Sequence, residues 1–103
     1  MTIQIEVDPE SGHFTYGPSV LRARRGDAIS WRCVSGNFVV MFRDLTPLER
    51  FSLHGVKNKE TETLRVELDA QRGHYHYQVA VAVETPGGIR VFLDGGCPDI
   101  IVD

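Results

Sequence analysis

The chain has 103 residues, a hydrophobic fraction of 42% and a formal charge of −3 at neutral pH. That length suits one domain spanning residues 1–103, with a core that needs no disulfide or metal staple, and the apolar content excludes disorder. The acidic balance argues against nucleic-acid binding, which selects for dense Lys and Arg, and no apolar run approaches the ~20 residues of a membrane-spanning helix.

Met1-Thr2-Ile3-Gln4-Ile5-Glu6-Val7-Asp8 alternates apolar and polar residues, the mark of a half-buried strand with Ile3, Ile5 and Val7 on one face. A secretion signal would place a basic patch before a continuous apolar stretch, so a cytoplasmic location is expected unless a leader has been removed. Asp8-Pro9-Glu10-Ser11-Gly12 breaks the strand. A second strand is predicted over 19–24, with Arg22 and Arg24 on a solvated face. Arg25-Gly26-Asp27 then turns the chain into a third, where Ile29, Trp31 and Cys33 point inward and Ser30 and Arg32 outward. After Val34-Ser35-Gly36-Asn37, the unbroken apolar run 38–42 suits a strand buried on both faces.

Thr46-Pro47-Leu48-Glu49 combines an N-cap hydroxyl, proline at the first helical position and a carboxylate able to close a capping box, which predicts a two-turn helix near 46–54. Residues 61–68 read as a strand with Leu64, Val66 and Leu68 inside, followed by a turn over 69–73. The longest strand is predicted over 74–84, with Tyr75, Tyr77, Val79, Val81 and Val83 on one side. Pro86-Gly87-Gly88 folds it back on 89–93 as a hairpin, and 98–102 closes the domain.

Two stretches together resemble the cupredoxin family. One is 20–42, with its strand, Gly26-Asp27 turn, Ile29-Ser30-Trp31 strand and apolar strand in that order. The other is Gly73-His74-Tyr75-His76-Tyr77, similar to the family's Gly-x-Tyr-x-Tyr stretch, followed by the terminal Ile100-Ile101-Val102 strand. The resemblance implies an all-β Greek-key sandwich of about 7–8 strands with the short helix at 46–54. It also implies that the family's copper-binding His and Cys fall at Asn37 (or Phe38) and Val79, neither of which supplies the imidazole or thiolate that blue copper requires. Residues 80–98 contain neither the family's second His nor its Met. A divergent member without the copper site is therefore expected, with no cofactor.

Where the family has a short ligand loop, this chain has the hairpin, which is expected to set Ala80, Ala82 and Phe92 on the face opposite the core as a partner-binding patch. His74 and His76 are two apart on a strand, so their rings share a face and are spaced for chelation of Zn²⁺, Ni²⁺ or Cu²⁺; a carboxylate from a neighbouring strand would complete such a site. On the resemblance, Cys33 and Cys97 lie at the rim where copper sits in the family, so an alternative metal or redox site would draw on Cys33, Cys97, His74, His76 and His54. No nucleophile elbow, phosphate loop or dinucleotide fingerprint is present, and an enzyme is not expected. The expected role is that of a non-catalytic binding or assembly module contacting a protein partner or a second copy of itself.

Overall fold

The computed structural model describes residues 1–95 and 98–103; Gly96 and Cys97 lie outside the described residues. The described residues form strands and turns with no helix. The strands are β1 (Thr2–Val7), β2 (Phe14–Gly17), β3 (Val20–Ala23), β4 (Ala28–Cys33), β5 (Asn37–Met41), β6 (Ser52–Gly55), β7 (Leu64–Arg65), β8 (Gly73–His76), β9 (Gln78–Thr85), β10 (Gly88–Asp94) and β11 (Asp99–Val102). They build a sandwich. One sheet has the order β2-β1-β4-β7, with β1 and β4 parallel; a second has the order β10-β9-β5-β6, antiparallel throughout; a third, β3-β11-β8, pairs β3 and β11 in parallel. β8 and β9 form one extended stretch divided at Tyr77, so a single run of chain serves two sheets.

The alternations read from the sequence set the core. Ile3, Ile5 and Val7 of β1, Ile29, Trp31 and Cys33 of β4, and Val79, Val81 and Val83 of β9 are all buried. The indole of Trp31 meets the Tyr77 ring edge-on at 5.7 Å, and its Nε1 donates to the Tyr77 hydroxyl at 3.4 Å. Burial drives the phenol pKa of Tyr77 upward, so this hydroxyl stays protonated.

Five expectations are corrected, the last at Ser30. The segment near 46–54 is not a helix. Thr46 does accept from the Leu48 N–H, but Leu48 is drawn into an antiparallel bridge with Val66, the Glu49 carboxylate accepts from the Arg65 N–H, and Ser52–Gly55 pairs with β5 as β6. A two-turn helix is marginal because its first turn orders several residues for one hydrogen bond, and the ladder to β5 outweighs the cap. The strand predicted over 61–68 shrinks to Leu64–Arg65 plus the bridge at Val66; Leu68 is exposed in the turn that follows, where the Ala70 N–H donates to the Glu67 carbonyl. Phe14–Gly17, for which no element was predicted, forms a strand pairing with β1. With β2, β6 and the division at Tyr77, the described residues make eleven strands, more than the 7–8 anticipated.

Ser30, expected to face solvent, is buried beneath Glu60, whose carboxylate accepts from the Ser30 hydroxyl at 2.5 Å and the Thr2 hydroxyl at 2.6 Å. The Ser30 bond first, and the Thr2 bond second, hold the Glu60 pKa below its ordinary 4.5. A group whose pKa is lowered by folding contributes stability above its unfolded value and loses it as the pH falls through the folded one. The difference in urea midpoint between the native chain and Glu60→Gln is therefore expected to be constant at neutral pH, to shrink once the pH drops below 4.5, and to vanish in stronger acid. A pH-independent difference would rule out the linkage.

Candidate functional site

The positions aligned with a copper centre are used for packing. Val79 is wholly buried, and the Phe38 ring lies so close to Gly55 that a Cβ there would stand 2.3 Å from it. The side-chain carbonyl of Asn37 accepts from the Lys57 N–H at 2.9 Å, tying the start of β5 to the segment after β6. An apolar core side chain, a buried ring and a carboxamide already engaged with the backbone do not fit a blue-copper ion, and no step through copper follows from these residues.

On the outer side of the β10-β9-β5-β6 sheet, Val39, Ala80, Ala82, Val91, His54 and Val56 line an open groove of about 420 Å³. Ala80 and Ala82 lie on this face as expected. Phe92 does not. The hairpin loop contains only Pro86 and Gly87, so Thr85 pairs with Gly88 and Phe92 falls opposite Val81, on the core side, where it is 8% exposed. Reading the turn as three residues shifts the register by one and puts Phe92 opposite Ala82; the true register gives those places to its neighbours. Ile89, Val91 and Leu93 carry the apolar surface instead, at 69%, 65% and 73% exposure. Among the described residues, β10 pairs only with β9, leaving its other edge open.

The alternative metal residues separate. Cys33 is a free thiol on β4, fully buried as part of the hydrophobic core. The Cys97 expectation lies outside the described residues. His54 is exposed on β6 beside the apolar groove. His74 and His76 do share a face of β8, and the carboxylate that sequence reasoning lacked is Asp99, the first residue of β11, paired with His76 in the ladder. The Asp99 carboxylate lies 3.0 Å from His74 Nδ1 and 3.6 Å from His76 Nδ1. The signal that would have found it is the parity of the last strand against the Gly-x-Tyr-x-Tyr strand. As the side chains stand, no group of three or more His, Cys, Asp or Glu among the described residues is placed to hold a metal ion.

Parallel pairings of β1 with β4 and of β3 with β11, a Trp-bearing inner strand and the division at Tyr77 define a cupredoxin-like sandwich. No protein-family model matches the chain, and no curated protein matches it in sequence. Among solved structures, the chain is similar to one described as a novel purple cupredoxin from Nitrosopumilus maritimus. The TM-score is 0.52 and the identity 17%, over 97% of this chain and 98% of that one. At that identity the likeness establishes the fold.

Proposed function

We propose that this chain is a non-catalytic assembly module that uses its cupredoxin-like sandwich as a rigid support for the β9–β10 hairpin, and that a second copy of the chain is the partner. The observation carrying this reading is the run of exposed aliphatic side chains Ile89, Val91 and Leu93 along an open strand edge. Such an edge is a template for another strand, and soluble proteins ordinarily blunt it with charge, proline or a bulge. The strand complements itself. An antiparallel two-fold pairing centred on Val91 sets Ile89 against Leu93 of the copy, Val91 against Val91 and Arg90 against Phe92. Arg90 already lies over its own Phe92 ring at 4.9 Å, so the second contact repeats a cation–π interaction present within the chain.

Size-exclusion chromatography with light scattering is expected to show a dimer that Val91→Lys converts to a monomer with an unchanged circular-dichroism spectrum. Val91 is exposed, so the substitution should alter stability by no more than about 0.5 kcal/mol. A native chain that stays monomeric at high concentration, or a dimer indifferent to the lysine, would refute the reading.

A further inference from the structure

We propose that His74, His76 and Asp99 bind one divalent transition-metal ion of the Zn²⁺ or Cu²⁺ type, with the two imidazoles and the carboxylate as ligands. The site lies away from the hairpin and does not depend on the assembly reading. β8 sets the two histidines on one face, and the pairing of β11 with β8 puts Asp99 opposite His76 with its carboxylate in reach of His74. The carboxylate is the fixed member: its side chain is only 10% exposed, and Oδ1 is buried without any hydrogen-bond partner. An acceptor left in that state is costly, and buried polar atoms of native proteins are nearly always satisfied. The imidazoles are the movable members, with side chains 64% and 69% exposed.

Each imidazole stands from the carboxylate at close to the separation of two ligands on one ion, and the exposed rings must turn to bring all three donors to a common point. Two ligands held about 2.0–2.2 Å from a tetrahedral ion lie roughly 3.3–3.6 Å apart. His76 Nδ1 is 3.6 Å from Asp99 Oδ1, beyond good hydrogen-bond reach but at ligand separation. His74 Nδ1 is 3.0 Å from Oδ2 and hydrogen-bonded to it, so this ring needs to withdraw by a few tenths of an ångström for the ion to enter. The ion then stands where the shared proton was, and the neutral ring carries its proton on Nε2. The same two histidines line an open depression of about 240 Å³ with Arg43, Asp44 and Gln78, which leaves room for water to fill the remaining coordination positions. Asp44 and Arg43 in the same lining bring opposite charges that offset each other in part. Imidazole with carboxylate and no thiolate selects Zn²⁺ or Cu²⁺ over Cu⁺, and over Ca²⁺ or Mg²⁺, which take oxygen ligands.

The test uses the full chain without a histidine tag, stripped with EDTA and titrated with ZnCl₂ by calorimetry, with the apo and loaded melting temperatures compared. One equivalent is expected to bind and to raise the melting temperature. Asp99→Asn is expected to weaken binding about 10–100-fold, and His74→Gln or His76→Gln by at least about 10-fold. With Cu²⁺, the electron paramagnetic resonance spectrum should show hyperfine coupling to imidazole nitrogen. Absence of saturable binding overturns the proposal, as does undiminished binding by a folded Asp99→Asn chain, which would reveal two adventitious surface imidazoles. If Asp99→Asn fails to fold, the exposed histidine variants decide, and unchanged affinity in both overturns it.

Discussion

Trp31→Ala is expected to destabilise the domain by about 3–5 kcal/mol, the range for emptying a large aromatic site in a packed core. The indole is fully buried and contacts Tyr77, whose ring also packs on Phe42 at 5.4 Å, so the cavity would open where the β4 and β9 layers meet. Removal also leaves the Tyr77 hydroxyl, buried and held protonated, without the Nε1 donor. For a domain of this size each kcal/mol lowers the melting temperature by about 4–8 °C, so the midpoint should fall by at least about 12 °C. Differential scanning calorimetry measures it. A loss smaller than that of Leu53→Ala, at a site on the sheet margin, would show that the indole is not the keystone of the layers.

Gly36→Ala is the second large effect. A Cβ at Gly36 would stand 1.9 Å from the Ala82 carbonyl oxygen, a backbone atom that cannot rotate away. Because Asn37 pairs directly with Ala82, relief requires the start of β5 to separate from β9. The cost should reach or exceed the upper end of the about 1–3 kcal/mol typical of overpacking. Gly87 is the control, with nothing within 4 Å of a Cβ, and Gly87→Ala should lie within about 0.5 kcal/mol of the native chain. Equal urea midpoints for the two variants would contradict the close approach of β5 and β9.

The faces of β1 and β9 were legible because one side of each meets core and the other is more open, a contrast that writes itself into every second residue, whereas on β4 the burial of Ser30 beneath Glu60 broke that alternation. The Thr46-Pro47-Leu48-Glu49 signal misled because capping is local and worth about 1 kcal/mol, whereas the competing pairs of Leu48 with Val66 and of β6 with β5 join distant parts of the chain. Phe92 was misplaced by a single uncertainty, the number of residues in the turn, since one residue exchanges the two faces of a strand. Asp99 was hidden for a related reason. Its relation to His74 spans 25 positions and exists only once β11 has found its register, so no local pattern announces it.

β11 follows both β3 and β8 in sequence and yet is the middle strand of their sheet. During synthesis those two flanking strands leave the ribosome with no common partner, and that layer stays open until residue 102 is free. Closure thus joins segments far apart in sequence, the kind of long-range pairing that makes β proteins slow to fold. Deleting Asp99–Val102 would remove the central stave of that layer.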